Sequence, residues 1–75
     1  MNPGLREIQK KMPEKITVQV AAEIMGVTPR FLQMALQQNK FPFGIGVKIG
    51  KWSYYINTKR FIIYMNSAEG RSHGL

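Results

Sequence analysis

The chain has 75 residues, enough for one small domain, and a chain of this length buries only about 60% of the surface that its unfolded form exposes. It contains no cysteine, which excludes a disulfide framework and a thiolate metal site. Eleven Lys and Arg residues against four carboxylates give a formal net charge of +7, which favours an anionic partner over a cationic one.

Residues 1–15 are predicted to form a short leading helix or a basic arm. Leu5, Ile8 and Met12 recur at helical spacing, although a helix of this length is marginal in water unless it packs against something. No uninterrupted apolar stretch follows these residues. We therefore expect neither a signal peptide nor a membrane span, and a cytoplasmic location.

The next segment predicts a helix over residues 18–25. Thr17 is suited to cap its amino end, and Gly26 ends it because glycine tolerates positive φ. Ala22 lies four residues before Gly26. Its small side chain favours the close crossing of another helix.

A second helix is predicted over residues 29–38. Thr28 followed by Pro29 is a typical helix start, and Leu32 and Leu36 fall on one face. Two short helices joined by a turn around Gly26 have the spacing of a helix-turn-helix.

The periodicity changes after Asn39 to the alternation of a β-hairpin. Apolar residues alternate over residues 45–49, and Gly50 and Lys51 indicate a tight turn. In the following strand, Ser53 and Tyr55 fall on one face, and the other face carries three large side chains: Trp52, Tyr54 and Ile56.

A closing helix is predicted after the hairpin, capped by Asn57 or Thr58. Its apolar stripe consists of Phe61, Ile62, Tyr64 and Met65. We assign Phe41 and Phe43 to the core with it and expect residues 67–75 to form a disordered tail. The predicted fold is mainly α with a small β-hairpin, a winged helix-turn-helix domain over residues 16–66.

Catalytic and cofactor chemistry is not expected. His73 is the only histidine and falls in the predicted tail, and the four carboxylates are scattered along the chain. These residues assemble neither an acid-base pair nor a metal site, so we predict a protein that is not an enzyme and needs no cofactor or metal.

The distribution of charge favours DNA as the partner. All four carboxylates lie outside residues 24–68, a stretch that holds six Lys and Arg residues. Basic residues that serve only solubility are ordinarily interspersed with acids. A basic, carboxylate-free hairpin beside a helix-turn-helix therefore predicts a nucleic-acid-binding surface.

Two segments carry a resemblance to a known family. ITVQVAAEIMGVTPRFLQMAL and KIGKWSYYINTKRFIIYM resemble the excisionase family of small, MerR-like winged helix-turn-helix proteins of phages and mobile elements. The resemblance covers residues 16–65. It implies that the second helix enters the major groove and that the wing contacts the adjacent backbone or minor groove. The chain departs from the family at Gln33, Met34 and Gln37, where relatives often carry aromatic or arginine residues, and in a longer link over residues 43–46.

The candidate DNA contacts follow from these elements. Arg30 suits a phosphate or the O6 and N7 of guanine, and Gln33 and Gln37 suit the edge of adenine or serve as exposed helix formers. Lys48 and Lys51 flank the hairpin turn, where they either contact DNA or prevent aggregation through an exposed edge strand. The complete set is Thr28, Pro29, Arg30, Gln33, Met34, Gln37, Lys48, Lys51 and Lys59.

The expected function is sequence-specific binding of double-stranded DNA as an excisionase-like factor that assists an integrase, with cooperative self-association on DNA. A phage-type transcriptional regulator with the same fold is an alternative, because a fold does not define its biological consequence. A protein interaction module that docks onto a partner through residues 41–49 and the face of Leu5, Ile8 and Met12 is an alternative of another class. RNA binding is disfavoured because the aromatic residues are predicted to be buried.

Overall fold

The computed structural model describes residues 3–72. It contains four helices and a three-stranded antiparallel sheet. In chain order the elements are α1 (Pro3–Lys11), β1 (Lys15–Ile16), α2 (Val18–Met25), α3 (Pro29–Gln37), β2 (Gly44–Ile49), β3 (Lys51–Asn57) and α4 (Thr58–Ser72). None of the helices within residues 3–72 combines the length and the apolar character that a membrane crossing requires.

The helices α2 and α3 begin and end as predicted to within one residue. The Oγ1 atoms of Thr17 and Thr28 each accept a hydrogen bond, at 3.1 Å, from the backbone N–H three residues on. Gly26 ends α2 in the left-handed conformation, at φ 78°, and its N–H donates to the carbonyl of Ala22. Local capping chemistry therefore determines where this helix pair turns.

The sheet has the strand order β1-β3-β2. The predicted hairpin is confirmed as β2 and β3, with Lys48 opposite Trp52 and Gly46 opposite Tyr54. The short strand β1 was not predicted, because two residues are too few to show alternation. It pairs Lys15 with Asn57, which joins the amino-terminal part of the chain to the hairpin.

The core is built from every helix and from the base of the hairpin. Phe43 and Phe61 are fully buried, and their rings meet edge to face at 4.9 Å between centroids. Phe41 and Tyr64 are half-buried and pack beside them. The remaining buried apolar residues are Leu5, Ile8, Ala21, Ala22, Ile24, Leu32, Ala35, Leu36 and Ile56.

The two ends of the chain differ in part from expectation. The helical reading of residues 1–15 is confirmed by α1, in which Leu5 and Ile8 are buried, but Met12 lies beyond the helix at φ 48° and is exposed. The tail predicted from residue 67 is wrong up to Ser72, because α4 continues that far. Residues 73–75 lie outside the described residues, and the prediction for His73 lies there with them.

Candidate nucleic-acid interface

The outer face of α3 is the first component of the candidate interface. Leu32 and Leu36 bury the inner face against the core. At 100° per residue, the opposite side of the helix is centred on Arg30, Met34 and Gln37. Arg30 and Met34 are exposed, as a surface that meets another molecule requires, whereas Gln33 and Gln37 are half-buried.

A hydrogen bond connects α3 to the hairpin. Gln37 Nε2 donates to the Oη atom of Tyr54 in β3 at 2.7 Å. This contact corrects the expectation that Gln37 projects freely outward: its amide lies between the helix and the sheet. The end of the Gln37 side chain therefore lies on the side shared by α3 and the hairpin.

The role of Tyr54 was missed at the level of sequence. The alternation of Trp52, Tyr54 and Ile56 identified the inner face of β3 in part: Ile56 is buried and Tyr54 half-buried, but Trp52 is 37% exposed. It did not identify a partner seventeen residues away in the chain. No local pattern encodes such a contact, since it depends on how α3 crosses the sheet.

The tip of the hairpin is the second component. Lys48 and Lys51 are both exposed there, on either side of Gly50, which turns at φ 76°. Trp52 lies opposite Lys48 and stacks on Tyr54, with 6.4 Å between ring centroids and 14° between planes. The pleat places Lys48, Trp52 and Tyr54 on the same face of the hairpin, and Tyr54 bonds to α3 on that side.

Two glycines allow the hairpin to approach α3 and the rings to lie flat. A Cβ atom on Gly44 would lie 2.7 Å from the backbone oxygen of Tyr55 and 3.2 Å from Leu36 Cδ2. A Cβ atom on Gly46 would lie 3.2 Å from the Tyr54 ring and 3.4 Å from Trp52. The sequence identified these glycines only as helix breakers; the structure shows that they also make room for the packing of this face.

The residues at the amino end of α3 fix where the helix begins, directly before Arg30. Thr28 caps the helix and Pro29 occupies its first turn, which agrees with the structural half of their predicted role. Arg30 follows immediately, with its side chain exposed. The helix dipole favours a negative group near this end.

Lys59 is separated from the other predicted contacts. It lies in the first turn of α4, directly after Asn57, whose Oδ1 accepts from the N–H of Arg60 at 2.9 Å. The strand β3 rises about 3.3 Å per residue, so its length places Lys59 roughly 20 Å from the hairpin tip. Arg30 and Gln37 therefore share one side of α3, which Gln37 joins to the hairpin, whereas Lys59 lies far from the hairpin tip.

The electrostatics of the interface come from cations without nearby acids. The one ion pair among the described side chains joins Glu7 to Lys11 within α1, at 3.2 Å. Glu23 is exposed on α2. Among the described residues, no three His, Cys, Asp or Glu side chains are grouped closely enough to hold a metal ion. What this side of the molecule presents is positive charge, amide groups and aromatic rings.

Comparison of the chain with protein-family models, with curated proteins and with solved structures finds no match.

Proposed function

We propose that this chain is a winged helix-turn-helix protein that binds double-stranded DNA sequence-specifically, with α3 as the recognition helix and the β2–β3 hairpin as the wing. The observation that carries the proposal is the exposed side of α3, with Arg30 and Met34 at its centre, on a helix that Gln37 joins to a hairpin with a basic tip. Residues 24–68 hold six cations and no carboxylate, and three of these cations, Arg30, Lys48 and Lys51, lie on α3 and at the hairpin tip. Neutralisation of phosphates by such cations supplies a large share of the affinity of DNA-binding proteins.

The recognition helix reads base edges in the major groove, which is wide enough to admit an α-helix. Arg30 donates either to a phosphate or to guanine O6 and N7, and Met34 makes apolar contact, for example with a thymine methyl group. Gln33 lies one turn before Gln37 on the same flank of α3. Gln37 keeps its Oε1 atom as an acceptor, because its Nε2 atom is used by Tyr54.

The wing contacts the sugar-phosphate backbone beside that groove. Lys48 and Lys51 pair with phosphates, and the Gly50 turn narrows the tip so that both ammonium groups reach the duplex. Thr28 and the amino end of α3 meet another phosphate. Lys59 contacts the backbone at a separate position, if the duplex extends or bends around the base of β3.

The biological role proposed for this binding is that of an excisionase-like factor, which binds near a recombination site and assists an integrase. A domain of this size covers few base pairs, so copies bind cooperatively to repeated half-sites. Transcriptional regulation through the same surface is the second candidate. The two are separated by footprinting on flanking genomic DNA: repeated sites beside a recombination site support the first, and an operator that overlaps a promoter supports the second.

The proposal is tested by selecting preferred duplexes from a random pool and titrating salt against the affinity for the selected duplex. Contact with about five phosphates gives a slope of log K against log salt near −4.5. A mutated duplex should bind more weakly by about 1–3 kcal/mol for each base pair lost. An absence of any selected sequence, together with a flat salt dependence, would rule out DNA binding.

The wing is tested in the same titration by replacing Lys48 and Lys51 together with alanine. Removal of two phosphate contacts should reduce the magnitude of the slope by about two. The matched control replaces Lys10 and Lys15, which are exposed outside the proposed interface, with alanine. Equal changes in slope for the two double variants would show that the hairpin tip is not at the DNA.

A further inference from the structure

The outer face of the hairpin, opposite the proposed DNA-binding face, is an exposed apolar surface. The pleat places Ile45, Val47 and Ile49 of β2 on this face with Tyr55 of β3. Ile45 is 50% exposed and Val47 is 41% exposed. Alternating apolar residues ordinarily mark the buried face of a strand, but here the inner face carries Gly44 and Gly46 and the apolar side chains point outward.

The apolar surface continues onto α4 through two adjoining grooves. One groove, of about 220 Å³, is lined by Ile45 and Tyr55 from the sheet and by Arg60. The second, of about 330 Å³, is lined by Arg60 and by Ile63, which is 58% exposed. We call this surface the outer face: Ile45, Val47, Ile49, Tyr55, Arg60 and Ile63.

The outer face is rimmed by positive charge. Arg60 lies between the two grooves and Lys51 lies at the far end, on the same side of the hairpin as Val47. Neither groove has a carboxylate among its lining residues, and no described carboxylate pairs with Arg60. An occupant of this surface is therefore complementary when it offers apolar side chains together with carboxylates.

We propose that the outer face binds a segment of a partner protein in which apolar residues are interspersed with Asp or Glu. The grooves accept apolar side chains, and Arg60 pairs with a carboxylate between them. Duplex DNA does not match this face, because aliphatic side chains offer nothing to phosphates. A second copy of the chain matches it poorly, since each copy carries a net charge of +7.

The binding of this segment is independent of DNA binding. Trp52 and Tyr54 lie on the inner face of the hairpin, whereas Ile45 and Val47 lie on the outer one. A protein with both surfaces in use connects a bound duplex to a partner protein. The partner and the duplex should therefore bind at the same time, without displacing each other.

The test begins with selection of binders to the full chain from a displayed library of random peptides. Enriched peptides should combine aliphatic or aromatic residues with Asp or Glu, and a synthetic copy of one serves as the probe in fluorescence anisotropy. Ile45→Ser and Ile63→Ser should each weaken its binding by about tenfold, as expected for loss of one buried aliphatic side chain. Val20→Ser is the matched control, because Val20 is an exposed apolar residue of α2 away from this surface, and it should leave the affinity unchanged.

Two variants on different elements keep the test decisive if one of them folds poorly, and circular dichroism identifies such a variant. Arg60→Gln should weaken binding of the acidic peptide, and charge-neutral versions of the peptide should bind wild type and R60Q alike. Enriched peptides without carboxylates, or affinities unaffected by both serine variants, would overturn the proposal.

Two further measurements test other occupants of the outer face, and a third separates this proposal from the proposed DNA binding. Sedimentation of the free chain that shows self-association, lost in Ile45→Ser, would assign the surface to a second copy. Binding to vesicles of anionic lipid, lost in the same variant, would assign it to a membrane; either result overturns the proposal. Duplex binding by Ile45→Ser should equal that of wild type, so a failure of wild type to bind any duplex counts against the proposed function alone.

Discussion

Gln37 Nε2 and Tyr54 Oη lie 2.7 Å apart, and among the described residues theirs is the one hydrogen bond that joins a helix side chain to a hairpin side chain. Gly44 brings the base of β2 against Leu36 on the inner side of the same helix. The position of the hairpin relative to α3 is therefore determined at two points, one apolar and one polar. Any surface that uses both elements depends on this pair of contacts.

Replacement of Tyr54 by phenylalanine should lower the free energy of unfolding by about 1 kcal/mol, because the Gln37 amide loses its partner in a half-buried site. Tyr55→Phe is the matched control, since Tyr55 lies on the other face and its hydroxyl meets Asn57 Nδ2 only at 3.5 Å. Urea denaturation of both variants gives the comparison. Equal losses of stability would mean that the Gln37 contact contributes nothing of its own.

Tyr54→Phe should also weaken binding to the selected duplex, by more than the decrease in its folded fraction accounts for. Gln37 would then rotate among several conformations, and ordering it on DNA would cost side-chain entropy. We therefore expect reduced discrimination between duplexes at the base pair nearest Gln37, measured by competition with singly mutated duplexes. An unchanged discrimination profile would indicate that Gln37 serves the fold and not base recognition.

Arg30→Ala should weaken binding to the selected duplex by about 1–3 kcal/mol if the guanidinium reads guanine. Its side chain is exposed, so the free energy of unfolding should change by less than about 0.5 kcal/mol. Arg6→Ala, in the exposed part of α1, is the control for loss of one positive charge. If the two variants bind the duplex equally well, Arg30 is not in the interface.

Variants of the two helix-capping threonines distinguish an effect on stability from an effect on DNA binding. Thr17→Ala and Thr28→Ala remove the same hydrogen bond, at 3.1 Å in both helices, and each should cost about 0.5–2 kcal/mol of unfolding free energy. Only Thr28→Ala frays the turn that carries Arg30. We expect it alone to reduce duplex affinity at a temperature where both variants are fully folded, and Thr28→Ser to restore that affinity. Identical affinities of T17A and T28A would contradict this role.

Local signals predicted the helix pair and the hairpin because the chemistry that defines them is local. Thr17, Gly26 and Thr28 act through backbone groups within four residues of themselves. The turn at Gly50 likewise needs only its own positive φ. These elements could be located from the sequence for that reason.

Contacts between distant segments could not be located in this way. The strand β1 exists because Ile16 pairs with Ile56, forty residues later, and the Gln37–Tyr54 bond depends on the same tertiary arrangement. The alternation over residues 45–49 predicted a strand correctly. It did not show which face of that strand would be covered, because Gly44 and Gly46 on its inner face carry no hydropathic signal.

The leading helix α1 is part of the folded domain, and truncation of one of its buried side chains should lower the free energy of unfolding. Leu5 is 5% exposed and belongs to the cluster that includes Ala22 and Phe61. Leu5→Ala should lower the free energy of unfolding by about 2–5 kcal/mol, the usual cost of a cavity at a buried leucine. Met12→Ala is the control, because Met12 is exposed beyond the end of α1 and should change stability by less than about 0.5 kcal/mol. Equal and small effects of both substitutions, measured by urea denaturation, would favour the alternative of a basic arm that does not pack on the domain.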